Sequence, residues 1–325
     1  MQRTTALLQP SRRSVATGLL CAALLGGRLR AAKPERRVLH IDSYHAGNEW
    51  NDRIAQAVTT RLQDAGVRVQ VFRMDTKRRS SEAQKTAAAD AAAELIETWR
   101  PHVVTMSDDN AVKYLLMPRY RDAEIPFVFC GLNWDAGVYG LPYANATGMV
   151  EVSPIPQIKA LLERYADGPR LGFLAEDTPT KRKEMAHHAK LFGIEYARSW
   201  FVSDFAAWTD AFREAQGAVD MLMLLGVGAL DDWDAEAARR LAREETRIPT
   251  GTDFAWLMPY ALLGVGKLPE EQGEWAAEAA LKILAGTPPS RIPLAHNTRG
   301  ELLFNPAVAR RLGLSDPPAL ARLVQ

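Results

Sequence analysis

Polar and aromatic side chains crowd a stretch near the start of the chain, 38-VLHIDSYHAGNEWNDRI-54. The stretch begins as an apolar strand and passes into a helical pattern. Between the two lie Asp42, Ser43 and Tyr44, with Trp50 just beyond. Hydroxyl and carboxylate groups can hydrogen-bond a polar ligand, and large aromatic rings can stack on its body. This loop is therefore a candidate wall of a small-molecule site.

Similar residues follow other predicted strands, and ligands of open parallel sheets bind beyond the carboxyl ends of the strands. The loops add these candidates: Asp108, Asn110, Asn133, Thr178, Gly226 and Asp253. Capping is the alternative for any single one of the Asp, Asn, Ser and Thr residues, because such a side chain before a helix satisfies a free N–H, contributing about 1 kcal/mol. Capping does not explain why aromatic residues recur in the same loops, so the set as a whole favours binding.

The charge of these loops indicates the kind of ligand. Helix N-termini attract anions. Here carboxylates already stand at several of those positions: Glu49, Asp52, Asp108, Asp109, Glu176 and Asp177. A phosphate-like ligand would be repelled, so we expect a ligand with an amine and an apolar or aromatic body.

Enzyme motifs are absent from the sequence. Gly226-Val-Gly228 follows an apolar strand, but Asp231 replaces the third glycine of a dinucleotide fingerprint. There is no phosphate-binding loop motif, no nucleophile elbow and no H-E-x-x-H. The adjacent His187 and His188 point to different faces of a predicted helix and cannot share a metal. We therefore expect no cofactor, no metal site and no catalytic activity, with an α/β enzyme as the weakest alternative.

The elements that would position these loops alternate between short apolar runs and amphipathic segments. Continuous apolar strands separated by helices predict parallel sheets covered on both faces, an α/β, doubly wound class. The pattern occurs before and after a join near 148-GMVEVSPIP-156. Near the C-terminus a long helix, 269–285, leads to a predicted hairpin that turns at 298–300. The predicted strands are 37–42, 67–74, 102–107, 125–131, 147–152, 170–175, 195–202, 219–227 and 247–252.

The N-terminus has the features of an export signal. Arg12 and Arg13 precede an apolar segment of about 13 residues, too short for a bilayer core of ~30 Å. We predict a signal peptide at 1–32, with a twin-arginine-like pattern. Cys21 follows two leucines and is a poor lipid-attachment site, so Cys130 would be the single thiol of the mature chain. The 325 residues carry a net charge of +1, which gives no basic field for nucleic acid.

Three stretches resemble the periplasmic substrate-binding proteins of ABC transporters with the type I fold, in the branch that includes tryptophan- and tyrosine-binding members. They are the first stretch together with 74-MDTKR-78, 107-SDDNAVKYLL-116 with 128-VFCGLNWD-135, and 260-YALLGVGKLPEEQGEWAAEAALKILAGTPPSRIP-293. The resemblance implies two Rossmann-like lobes joined by three hinge crossings near 148–152, 263–267 and 289–294. The first lobe would comprise 36–150 plus 267–290, and the second 151–265 plus 292–325.

The resemblance also implies a function, that of a monomeric periplasmic receptor that captures a small-molecule solute between its lobes and delivers it to an ABC transporter permease. In such a receptor Ser43, Asn110 and Thr178 would hydrogen-bond polar ends of the solute. Asp108 or Asp253 would pair with its amine. The remaining expected contacts are stacking by Tyr44 and Trp50, and contacts from Asn133 and Gly226. The alternative is a ligand-sensing partner of a membrane histidine kinase.

Overall fold

The computed structural model describes residues 35–315 and 317–324. The predicted signal peptide and Cys21 lie outside the described residues. The strands are β1 (Arg37–Asp42), β2 (Arg68–Arg73), β3 (Val103–Ser107), β4 (Phe127–Asn133), β5 (Ala146–Glu151), β6 (Leu171–Glu176), β7 (Arg198–Val202), β8 (Met221–Leu224), β9 (Thr250–Thr252), β10 (Leu263–Lys267), β11 (Ala295–His296), β12 (Gly300–Phe304) and β13 (Arg322–Leu323).

Helices alternate with these strands. They are α1 (Glu49–Asp64), α2 (Glu82–Trp99), α3 (Asp108–Ala111), α4 (Met117–Arg119), α5 (Ile155–Leu162), α6 (Pro179–Phe192), α7 (Phe205–Ala218), α8 (Ala235–Glu245), α9 (Pro269–Leu284) and α10 (Pro306–Arg311). A π-helical turn, Val112–Leu116, joins α3 to α4, and short 3-10 turns lie at Ala136–Tyr139, Ala255–Tyr260 and Pro289–Arg291. Within the described ranges, no helix is both long and apolar enough to cross a membrane.

The strands form two sheets. The first has the order β11-β5-β4-β3-β1-β2, and the second β13-β12-β10-β9-β8-β6-β7. All pairs are parallel except that β12 runs antiparallel to β10. Buried apolar residues cover both faces of the first sheet, and a further apolar core packs around the second. The predicted α/β class with doubly wound parallel sheets is confirmed.

The chain passes between the sheets three times. It leaves the first sheet after β5, returns after β10 through α9, and leaves again between β11 and β12. The first two crossings lie at the strand ends Glu151 and Lys267. α9 packs closely along α1, because a Cβ on Gly273 would lie only 2.4 Å from the main-chain oxygen of Ile54.

The third crossing lies later than the predicted range 289–294, and the predicted hairpin is wrong. Ala295 and His296 pair with Met149 and Val150 of β5, so β11 belongs to the first sheet. The Asn297 amide then holds both the N–H and the carbonyl of Val152, at 2.7 and 3.0 Å. The carboxylate of Glu271 accepts the next two main-chain N–H groups. Because these backbone groups are already satisfied, β11 cannot fold back on β12.

Candidate functional site

A cavity of about 580 Å³ lies where the carboxyl ends of the two sheets meet. Loops after β1, β3 and β4 line one side, and the loop after β9 lines the other. The chemistry of the lining is mixed, with aromatic rings, carboxylates and cations. The predicted residues that line it are Tyr44, Trp50, Asp108, Asn133 and Asp253, and other lining residues include Glu151, Phe254 and Lys267.

The structure does not bring the other predicted residues into this cavity. The Ser43 hydroxyl is buried, donates to the carbonyl of Ser107 at 2.6 Å and accepts the N–H of Ala111. Asn110 donates to the Thr76 hydroxyl at 2.8 Å. Thr178 caps α6, as in the capping alternative. Gly226 allows its main chain to lie close to the Lys181 side chain, since a Cβ there would be 2.5 Å from Cε of Lys181. These residues position the loops.

A buried pair of acids, Asp42 and Asp108, lies on the first-sheet side of the site, and Asp108 lines the cavity. The Asn51 amide donates to Oδ1 of Asp42 at 2.6 Å and also to Asp108. Arg73 holds the other oxygen of Asp42 at 2.5 Å. Asp108 has a φ of 68°, a left-handed conformation that aspartate and asparagine tolerate better than most residues.

The protonation of Asp108 differs from that of an exposed aspartate. Burial raises the pKa of its carboxyl well above the usual range, the Asn51 hydrogen bond opposes this, and the nearby Glu151 and Asp42 raise the pKa further. Burial also raises the pKa of the Tyr44 hydroxyl, as do the surrounding carboxylates. The Nζ of Lys77 lies 4.5 Å from the centroid of the Tyr44 ring, so a cation of the chain already covers one face of that ring.

Asp253 lines the site and has one side-chain oxygen without a partner among the described residues. Its Oδ2 accepts the Ser153 hydroxyl at 2.5 Å, and the residue is 3% exposed. Its Oδ1 is buried and has no hydrogen-bond partner among the described residues. A buried carboxylate oxygen without a donor is costly, because it has lost its hydration. A ligand that supplied a donor to this oxygen would remove that cost.

An ion pair that joins the first two crossings also lines the cavity. Nζ of Lys267, at the end of β10, lies 2.5 Å from Oε1 of Glu151, at the end of β5. Burial by itself lowers the pKa of Lys267, but Glu151 and Asp253 outweigh it, so the pKa is raised and the ammonium stays charged. The same Nζ lies 5.7 Å from the Trp50 ring centroid.

Glu151 and Lys267 were not among the functional residues predicted from the sequence. Each is a single charged residue at the end of an otherwise apolar strand, and each strand was predicted to cross between lobes. That coincidence of a charge with a crossing was the signal that could have found them.

A second bridge joins elements of the two sheets. The rings of Trp134, after β4, and His187, on α6, stack at 5.5 Å with an angle of 7°. Lys190 pairs with Asp135 at 2.7 Å in the same contact. The His188 ring also lies against Trp134, at 5.4 Å and an angle of 53°; it shares a hydrogen bond with the Tyr196 hydroxyl, and burial lowers its pKa to about 3. Both histidines therefore contact the Trp134 ring, although their spacing predicts different faces of the helix.

Other features of the described residues do not make a competing site. A groove of about 690 Å³ between α1 and α9 holds no predicted site residue and is crossed by the Arg53–Glu270 ion pair at 2.6 Å. Across residues 35–315 and 317–324, no group of three or more His, Cys, Asp or Glu side chains could hold a metal ion. The cavity at the strand ends is thus the site that combines buried charge with aromatic surface.

Comparisons with known proteins show the fold. No family model matches the chain, and no curated protein matches its sequence. Among solved structures, the ligand-free, open structure of a substrate-binding protein with adhesive properties from Clostridium difficile is similar at a TM-score of 0.67, with 15% identity over 89% of this chain and 99% of that one.

Two further structures have the same architecture. A periplasmic ribose ABC transporter protein from Conexibacter woesei gives a TM-score of 0.54 with 14% identity, over 86% of this chain and 96% of that one. An ABC domain in complex with L-Trp from Streptococcus pneumoniae gives 0.52 with 13% identity, over 90% and 100%. The chain therefore has the type I periplasmic-binding fold.

Proposed function

We propose that this protein is an exported solute receptor that holds a small, amine-bearing molecule in the cavity and delivers it to an ABC permease. The observation that carries the proposal is the unpaired Oδ1 of Asp253 in a lining that also contains aromatic rings. An ammonium group would donate to this oxygen and restore the hydrogen bond that burial removed. Trp50 and Phe254 would contact an apolar or aromatic body.

Lys267 would bind the opposite end of the ligand. Its ammonium has three donors, and one is used by Glu151. A ligand carboxylate could therefore take another donor without breaking the ion pair. An amino-acid-like molecule, with its amine at Asp253 and its carboxylate at Lys267, fits this charge arrangement. The L-Trp complex of the similar Streptococcus pneumoniae domain supports this proposal.

Closure of the two lobes about the crossings would complete the site. The side chains that line the cavity come from both sheets, so a ligand in the cavity would bring the two sets of loops together. Closure of this kind excludes water and strengthens the charged contacts. The similarity to a ligand-free, open substrate-binding protein supports a cycle between open and closed forms.

A thermal-shift screen of the mature protein against amino acids, amines, purines and sugars tests the proposal. A ligand at ~100 times its Kd should add about 2.7 kcal/mol of stability. Asp253→Asn keeps an acceptor for Ser153 but removes the charge, so it should weaken binding of the amine form by about ten- to a hundredfold. Asp167→Asn, which changes an exposed carboxylate in the turn before β6, is the matched control.

The contrary outcomes are distinct. A ligand that binds equally well with and without its amine would refute the charge assignment. If the only molecules that stabilise the protein do so equally in the Asp253→Asn and Trp50→Ala variants, the cavity is not the binding site.

Export and delivery have their own tests. Replacing Arg12 and Arg13 by lysine should leave the protein in the cytoplasm if the twin-arginine route is used. Deleting the gene should abolish uptake of the ligand found in the screen. Retained uptake with a lost signalling response would instead favour the kinase-partner alternative.

A further inference from the structure

Three arginines surround a concavity on the second sheet's side of the molecule. The concavity has a volume of about 610 Å³ and is lined by Arg243 of α8 and by Pro306, Ala307, Arg310 and Arg311 of α10. All three arginines are exposed. We call these five residues the arginine pocket.

The arginine pocket lies far from the cavity at the strand ends. Gly300 of β12 is opposite Lys267, while Phe304 is opposite Leu263, at the start of β10. β12 therefore leads away from the cavity, and α10 follows it at the other end of the sheet. A ligand of the arginine pocket would be a second ligand and would not touch the first.

The guanidinium groups of the pocket have no carboxylate partner among the described residues. Among the described residues, the one hydrogen bond that they make is from Arg310 to the carbonyl of Pro306, at 3.4 Å. Several other exposed arginines around the second sheet are paired, such as Arg170 with Asp220 at 2.7 Å and Arg213 with Glu245 at 2.9 Å. The positive charge of the pocket is thus left uncompensated.

Neighbouring acids do not change this balance. Glu245, at the end of α8, is held by Arg213, and Glu236 is held by Arg239. Glu244 is exposed and unpaired within the described residues. Arg240 and Arg247 also lack ion-pair partners there and oppose it, so the described residues of this surface carry a net positive charge.

A simpler explanation for the three arginines is that they compensate helix dipoles, since a cation in the last turn stabilises a helix by about 0.3–1 kcal/mol. Arg243 lies in the last turn of α8, and Arg310 and Arg311 lie in that of α10. This explains one cation for each helix. It does not explain why three converge on one concavity, where their mutual repulsion opposes folding.

We propose that the arginine pocket binds a phosphate-bearing anion. The planar guanidinium fork matches the oxygens of a phosphate group and can bind them in a bidentate manner. The main-chain amides of α10 are not available, because the Asn305 side chain accepts the N–H groups of Ala307 and Val308. The arginines would therefore hold the anion. Its source is either the headgroup of an anionic lipid or a free phosphate compound.

Two probes distinguish these sources in the purified mature protein. Vesicles with anionic phosphatidylglycerol, compared with pure phosphatidylcholine vesicles, test the headgroup by co-sedimentation. Inorganic phosphate, compared with chloride at equal ionic strength, tests the free anion by calorimetry. The variant replaces Arg243, Arg310 and Arg311 by glutamine, and the control replaces Arg164, Lys183 and Arg198, which removes the same charge elsewhere around the second sheet.

We expect binding to one of the two probes, lost in the pocket variant and kept in the control. For vesicles, each arginine near an anionic surface contributes about a fivefold factor, so the loss should be on the order of a hundredfold. Binding to neither probe, or an equal loss in the pocket variant and the control, would overturn the proposal. Ligand affinity at the strand-end cavity should be the same in all three proteins.

Discussion

Replacing Lys267 by methionine tests whether the Glu151–Lys267 ion pair holds the two crossings together. The Nζ–Oε1 distance is 2.5 Å, and the two side chains are only 17% and 9% exposed. Removing one partner of a buried pair leaves an uncompensated charge and costs about 3–5 kcal/mol. Loss of the Trp50 contact adds about 0.5–1 kcal/mol. Because water still reaches part of Lys267, we expect Lys267→Met to lower the free energy of unfolding by about 3 kcal/mol, the low end of that range.

The double variant Glu151→Gln, Lys267→Met separates charge from packing. Neutral residues of similar volume often replace a buried ion pair with little loss, so the double variant should recover to within about 1 kcal/mol of the parent. Urea denaturation at pH 7.5 of the parent, both single variants and the double variant gives the coupling energy of the pair. Arg198→Met breaks the pair with Glu214, whose side chains are 53% and 45% exposed, and should cost less than about 1 kcal/mol.

Two results would refute this reasoning. If Lys267→Met were as stable as the Arg198→Met control, the pair would be solvated and would not hold the crossings. If the double variant were less stable than either single variant, the packing of these side chains and not their charge would be the source of the stability.

Four further predictions concern the site and the fold. Trp50→Ala should weaken binding of the screened ligand by about 1–3 kcal/mol in calorimetry with little change in the urea midpoint, and unchanged affinity would remove Trp50 from the site. Burial raises the pKa of Asp108, so its contribution to stability falls as the pH rises above the ordinary carboxyl range. Asp108→Asn should therefore gain stability relative to the parent between pH 5 and 8, and a pH-independent difference would contradict this. Burial lowers the pKa of His188 from 6.5 to about 3. The contribution of His188 to the free energy of unfolding is therefore lost as the pH drops below 6.5, by up to about 1.4 kcal/mol per pH unit. His188→Gln should make the urea midpoint depend less steeply on pH in this range. Gly273→Ala should lower the free energy of unfolding by about 1–3 kcal/mol, because the added Cβ would collide with α1. Gly217→Ala, on an open helix face, should be neutral or stabilising in urea denaturation. Equal effects of the two substitutions would refute the close packing of α9 on α1.

The regular elements could be predicted from the sequence because apolar periodicity is local. The strand predicted at 37–42 matches β1, and the helical pattern predicted after the first loop matches α1. The two-residue strand β11 could not be found this way. It lies in a polar segment, and it exists because the edge of β5, about 145 residues earlier, accepts it.

The lining of the cavity could be predicted only in part. Ser43 and Tyr44 are neighbours in the first loop, yet one faces the protein interior and the other faces the cavity. The difference depends on which main-chain groups lie within reach of the Ser43 hydroxyl, and residue type does not show this. Glu151 and Lys267 are separated by 116 residues, so their pairing is a property of the tertiary structure.

The ion pairs of the cavity decide which ligand group can bind there. Lys267 neutralises Glu151 and Arg322 neutralises Glu301, both at 2.5 Å. Burial favours the protonated form of Asp108. Two buried oxygens of lining residues remain without a hydrogen-bond partner among the described residues, Oδ1 of Asp253 and Oδ1 of Asn51. A ligand group that only accepts hydrogen bonds would leave them unpaired, at a cost of about 1–3 kcal/mol each, while a donor would satisfy either one. The preference for an amine therefore depends on these unpaired oxygens and not on the number of acidic residues in the loops.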